Sequence, residues 1–295
     1  MSRISLPDIV KKSKEKIGTL LRAADHIVRL KLREFGLTDS HTQYTPFIIL
    51  GHGRTGSTML VSMLQSHPKC VCYSELFHPH SPKWFYDHIN LIYGKNELRD
   101  RSHVDFLKKY VYKRSPKEVG AVGFKVLYCN VEEGRSTSLR GKKEIEKTLR
   151  YMQEVGVKIL HIKRKNKLKR YVSMKMADKR KKWVVRKGES IENKIKISID
   201  TEEMIRSMKK HYKMEEQKEK LFSQFESISV NYENLCKKSS DIEKAQNFLG
   251  LPVRSLRAGT ARTRRRSLRE VIENYGEVTK FLKGTKYEKF ILQAS

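Results

Sequence analysis

Residues 47–64 read Phe-Ile-Ile-Leu-Gly-His-Gly-Arg-Thr-Gly-Ser-Thr-Met-Leu-Val-Ser-Met-Leu. The apolar run Phe47-Ile48-Ile49-Leu50 has the length and uniformity of a strand buried on both faces, and from Met59 the apolar residues resume at helical spacing. Between them stand three glycines at 51, 53 and 56. A strand, a glycine turn and a helix in that order aim several backbone N–H groups at one point, where the helix terminus adds roughly half a positive charge. Such a point attracts phosphate. The nucleotide-triphosphatase pattern G-x-x-x-x-G-K-[ST] nearly fits Gly51 to Thr58, but Ser57 stands where its lysine belongs. That chemistry also needs a carboxylate at a strand end to hold magnesium, whereas the later strand at 157–162 runs into Lys163-Arg164. The turn therefore reads as a metal-free anion cradle built from Gly53, Arg54, Thr55, Gly56, Ser57 and Thr58.

Further strands are expected at 70–73, 120–128, 157–162 and 227–232. Helical periodicity lies between and after them at 103–113, 142–154, 167–177, 202–222, 239–249, 267–275 and 277–282. This alternation predicts an α/β class, a P-loop-like three-layer fold with a central parallel β-sheet flanked by helices. Residues 1–45 read as a basic helical N-terminal extension and linker, and 46–295 as the main domain. Lys179 to Lys196 is charged and weakly periodic, and reads as a surface excursion.

The composition narrows the partners. With 63 Lys+Arg against 33 Asp+Glu, the 295-residue chain carries +30, so anions are its natural ligands: nucleic acid, acidic lipid or a multiply phosphorylated small molecule. Its 38% hydrophobic content is enough for a sizeable core, which excludes a disordered polyelectrolyte. No stretch approaches the roughly 20 apolar residues of a membrane span, and no secretory signal is visible, so a cytoplasmic setting is expected, with peripheral contact through the basic N-terminal helix as the membrane alternative. Four irregularly placed cysteines agree with a reducing compartment. His67, Cys70, Cys72, His78 and His80 invite a zinc hypothesis, but Cys-x-Cys is too tight for one tetrahedral ion and alternates as a buried strand does.

A second basic cluster follows the strand at 157–162: Arg164-Lys-Asn-Lys-Leu-Lys-Arg-Tyr-Val-Ser173. Arg164 sits at the strand end and Ser173 within the next helix, so both can reach back toward one anion. Gly53-Arg-Thr-Gly-Ser-Thr58 followed by this cluster resembles the 5′-phosphosulfate loop and 3′-phosphate motif of sulfotransferases, most of all the bacterial-type carbohydrate enzymes of the trehalose and nodulation-factor type. Tyr232-Glu-Asn-Leu235 is similar to that family's YEDL element, Phe248-Leu-Gly250 to the FLG after it, and 272–287 to its closing segment. The resemblance spans roughly 46–292. It implies 3′-phosphoadenosine-5′-phosphosulfate (PAPS) as donor, its desulfated form PAP as product, no metal, and a hydroxyl of a carbohydrate or glycolipid as acceptor.

It also implies roles. Arg164 and Lys165 compete for the 3′-phosphate, because the family's usual spacing to the serine selects Lys165. Tyr232 would flank adenine, and the basic loop near the C-terminus would be represented by Arg262 and its neighbours. Glu75, in Ser74-Glu75-Leu76-Phe77, matches the context of the proposed base, its bland alternative being a capping acid. Lys125, a charge within an apolar strand, should face the cleft or a structural ion pair. Phe77, Trp84 and Phe85 divide between a sugar platform and core packing, and His52 reads as structural or peripheral. Nucleic-acid binding, the competing class, has the net charge behind it but no reading module.

Overall fold

The computed structural model describes residues 28, 39–77, 101–131, 142–185, 195–237, 240–260 and 266–292. Among the described residues there are seven strands: β1 (Ser40–His41), β2 (Thr45–Gly51), β3 (Cys70–Glu75), β4 (Ser115–Pro116), β5 (Ala121–Leu127), β6 (Lys158–Lys163) and β7 (Ser227–Asn231). The main helices are α1 (Ser57–Gln65), α2 (Lys142–Glu154), α3 (Lys167–Arg180), α4 (Thr201–Leu221) and α5 (Ser240–Phe248). Five strands form one sheet in the order β3-β5-β2-β6-β7, parallel throughout. The chain builds outward from β2 to the β3 edge, then returns past it to β6 and β7. The carboxyl end of β2 is therefore the switch point, where open α/β sheets place their ligands.

The run at 47–50 is apolar without a break because both faces of β2 are covered. Phe47 and Ile49 pack with α1 and α5, and Ile48 and Leu50 with α2 on the other side. A third apolar cluster joins α3, α4 and the C-terminal helices. Gly123 lies opposite Phe47 where β5 meets β2, and a Cβ on it would sit 2.4 Å from the Phe47 carbonyl oxygen.

Three segments differ from the reading by periodicity, one of them the helix expected over 267–275, which is helical only at Leu268–Val271 before Ile272 bridges to Ile197. The helix expected over 103–113 is α-helical only at His103–Phe106 and continues as a π-helical turn over Leu107–Val111. Near the N-terminus, Ser40–His41 pairs antiparallel with Ser115–Pro116, so residues 40–45, expected as linker, are short strand and bend. The packed unit thus reaches back at least to residue 40. Residues 1–27 and 29–38, where the basic helix is expected, lie outside the described residues, as does the middle of the 179–196 excursion.

Behind the β2 turn a polar layer fills the space between sheet, α3 and α4. The His52 ring stacks on His211 of α4 at 4.6 Å between centroids and meets Tyr128 edge-on. His211 donates from Nε2 to Glu215 at 3.1 Å, Lys167 pairs with the same carboxylate, and Tyr128 donates its hydroxyl to His161. Burial, with Arg170 next, lowers His52 to a pKa of about 3. Burial takes His211 to about 4 and, with Lys163 second, His161 to about 4. All three imidazoles are neutral at pH 7.

Two measurements follow from this packing. Gly123→Ala should lower stability by about 2 kcal/mol, read as a reduced urea midpoint at unchanged slope, because the added methyl has no space between the strands. The histidines set an acid limit. Their folded pKa values lie below the unfolded value near 6.5, so the stability they contribute is complete above about pH 6.5 and declines as pH falls toward 4. The urea midpoint should therefore drop between pH 7 and pH 5, less steeply in His211→Gln; a flat profile in the parent chain would refute the neutral assignment.

Candidate active site

The turn after β2 is held by its own backbone. Thr55 Oγ1 donates to the His52 carbonyl at 2.6 Å, and α1 begins at Ser57 with Gly56 as its N-cap. Gly56 has φ 89°, and a Cβ there would lie 2.3 Å from the Tyr232 ring, so this position requires glycine twice over. No side chain caps the first turn of α1 and no acid lies within it. Its leading N–H groups therefore point at the turn, the arrangement that binds an anion.

The second basic cluster meets this turn directly. Arg54 donates from Nε to Ser173 Oγ at 3.1 Å and from Nη1 to the Trp183 carbonyl, while Arg164 Nη1 donates to the Arg54 carbonyl at 3.2 Å. The Arg164 guanidinium lies 4.7 Å from the centre of the Tyr232 ring, the ring that also closes on Gly56. Gly53 to Thr58, Arg164, Ser173 and Tyr232, far apart in sequence, thus form one cluster. Lys165 does not join it through its side chain, which is exposed; only its backbone N–H is engaged, by Glu233 at 3.1 Å. Arg262 lies outside the described residues.

Cations outnumber acids in the cluster, where Asp178 acts on Arg54 and Glu233 on Arg164. Burial and then Arg164 lower Arg54 to a pKa of about 10, and burial and then Arg164 do the same to Arg170. Arg164 is lowered too, by burial first. These causes mark guanidinium groups crowded together out of water, still charged at pH 7. The buried Nε atoms of Arg164 and Arg170 have no hydrogen-bond partner. Arg170 is a residue that motif reading passed over. Its signal was the three-residue step Lys167, Arg170, Ser173, which lines one side of α3 just after Arg164.

On the other flank of the turn Glu75 and Lys125 form an ion pair at 2.6 Å, and Lys125 Nζ also donates to Thr58 Oγ1 at 3.0 Å. A register shift between Tyr73 and Glu75 makes this possible: Tyr73 pairs with Phe124 and Glu75 with Lys125, leaving Ser74 as an extra residue. Such a bulge re-aims the side chain beyond it. Lys125 is 3% exposed and Glu75 19%, so the carboxylate is the more accessible partner. Both readings of Lys125 therefore meet in one place, since the ion pair stands at the cleft.

Other candidates fall away from the site. Phe77 is core, edge-on to His103, Phe106 and Phe124; Trp84 and Phe85 lie outside the described residues. Cys70 and Cys72 are buried in β3, where burial raises both thiols, Cys70 to about 12. His67 is tied to the Pro252 carbonyl and the Lys69 N–H. Among the described residues no three His, Cys, Asp or Glu side chains group as metal ligands, and no helix is long and apolar enough to cross a membrane.

A family model described as Stf0 sulphotransferase matches residues 46–275, the stretch from the second residue of β2 to the first of the helix Tyr275–Leu282. Comparison with curated proteins gives no match. With more than two thirds of its length matched and the fold in agreement, the chain belongs to the Stf0 sulphotransferase family and is a sulfotransferase.

Proposed function

We propose that this sulfotransferase takes the sulfuryl group of PAPS to a hydroxyl of a carbohydrate or glycolipid acceptor, by in-line transfer without a metal ion. The observation that carries the reading is the meeting of partly exposed Arg54 and buried Arg164 beside the uncapped terminus of α1. A ligand with phosphate at two ends of one nucleoside suits such a site. The backbone N–H groups at Ser57 and Thr58, with Arg54, receive the 5′-phosphosulfate. Arg164 and Ser173 receive the 3′-phosphate, with Tyr232 beside the base. Between the two basic candidates, the exposure of Lys165 favours Arg164.

Transfer forms a bond from the acceptor oxygen to sulfur and breaks the bond from sulfur to the 5′-phosphate oxygen, which leaves with the electron pair as PAP. The acceptor proton goes to the Glu75 carboxylate, which Lys125 orients and ties to Thr58. The charge that develops on the departing phosphate falls to Arg54 and the α1 terminus, a fixed positive environment. The carbohydrate acceptor rests on the family resemblance.

Calorimetry should show saturable PAP binding that survives chelator and moderate salt, with Arg54→Ala or Arg164→Ala weakening it roughly tenfold or more, as loss of a charge-assisted phosphate contact does. Binding that collapses steeply with salt and does not distinguish PAP from an oligonucleotide would favour a nucleic-acid ligand instead. Glu75→Gln should lower kcat by about a hundredfold with PAP affinity unchanged, the signature of a lost base. Label from radioactive donor should enter glycan or glycolipid fractions; label confined to protein or small phenols would overturn the acceptor assignment.

A further inference from the structure

Helix α4 faces α3 with a column of residues one turn apart: Glu203, Ser207, His211 and Glu215. Two of the four are carboxylates, each paired with a lysine of α3. Glu203 takes Lys175 at 2.6 Å, Glu215 takes Lys167, and His211 lies within 3.2 Å of Lys167 while donating to Glu215. Ser207 stands opposite Arg170, 3.4 Å from Nη2, where the column's pattern would call for a carboxylate.

Arg170 is only 2% exposed, and its partners are all uncharged: His52 Nδ1 at 3.3 Å, Met174 Sδ at 3.9 Å and Ser207 Oγ. Its Nε has none. His52 is kept neutral, so it adds no charge of its own. A buried cation without a counter-ion is a large electrostatic expense, and every lysine of α3 paired with α4 avoids it. Arg170 is also well placed. It contacts the residue that opens the β2 turn, and it precedes Ser173 by one turn of the same helix.

We propose that Arg170 is a charge-balancing residue of the donor site, left without a carboxylate so that the phosphates of the bound nucleotide complete it. It does not touch the nucleotide; it acts through its field, in a region where charges are weakly screened. This rests on the donor reading above and adds to it a third, buried cation. The effect should grow with ligand charge, which separates it from a packing role.

The probes are PAP, with two phosphates, and 5′-AMP, with one. Arg170→Met should raise the PAP dissociation constant roughly tenfold and that of 5′-AMP roughly threefold, as expected for fewer charges in the same field. Arg170→Lys, which keeps the charge, should restore most of the PAP affinity. Ser207→Asp supplies the missing carboxylate: it should weaken PAP as Arg170→Met does while the melting temperature holds or rises. Equal loss for both nucleotides, or undiminished PAP affinity in Ser207→Asp, would overturn the proposal. If Arg170→Met does not fold, Ser207→Asp decides alone. A parent chain that fails to bind PAP sinks the donor reading itself, whereas a parent that binds PAP beside unaffected variants sinks only the role of Arg170.

Discussion

Guanidinium groups buried side by side repel one another and lose their hydration, and both effects work against the folded chain. Arg54, Arg164 and Arg170 nevertheless share one region: burial lowers the pKa of all three, and the neighbouring Arg164 helps take Arg54 and Arg170 down to about 10. Their N–H groups are met largely by neutral acceptors: the carbonyls of Arg54 and Trp183, the hydroxyls of Ser173 and Ser207 and the His52 ring. Neutral acceptors satisfy hydrogen bonds without cancelling charge. The positive potential survives folding, and the geometry around it keeps Arg164 and Arg170 from reaching water.

That geometry comes from the sheet. With β2 central and β5 and β6 on either side, the residues beyond its end face two different neighbourhoods. Toward β6 lie the arginines. Toward β5 lies Lys125, whose charge Glu75 balances. The site is therefore zoned: a flank where three arginines outnumber the acids Asp178 and Glu233, suited to gripping phosphate, and a paired flank where a carboxylate stays accessible. Thr58 links the zones, since it belongs to the turn and accepts from Lys125. A change on either flank is felt at the helix terminus between them.

Much of this was legible in the chain. The run at 47–50 and its glycines gave strand, turn and helix, and the strands at 121–127, 158–163 and 227–231 follow from apolar runs that only a doubly covered sheet accommodates. What escaped depends on contacts across the sequence. Strict alternation in β3 would put Ser74, not Glu75, level with Lys125; the bulge that reverses this is set by pairing with β5. Counting from Ser173 cannot tell Arg164 from Lys165, because the choice depends on which one turns toward Tyr232. Arg170 looked like one more cation in a basic helix, and its meaning appears only opposite Ser207. The π-helical turn at 107–111 keeps helical periodicity while changing its hydrogen bonds, which a pattern of apolar residues does not register.

The excess charge of the chain and the charge of its site do different work. Most of the +30 is carried by Lys and Arg side chains that reach solvent, where salt screens them beyond about 8 Å. Such charge draws an anion in and hastens encounter, but it releases the anion as readily when salt rises. The buried arginines are beyond the reach of most of that screening. They contribute little to attraction at a distance and much to retention, because the anion that leaves them restores their full repulsion. A donor held by buried charge and found by exposed charge can bind tightly and still arrive quickly, and the fold supplies both, with Arg164 and Arg170 buried and most other described Lys and Arg side chains reaching solvent.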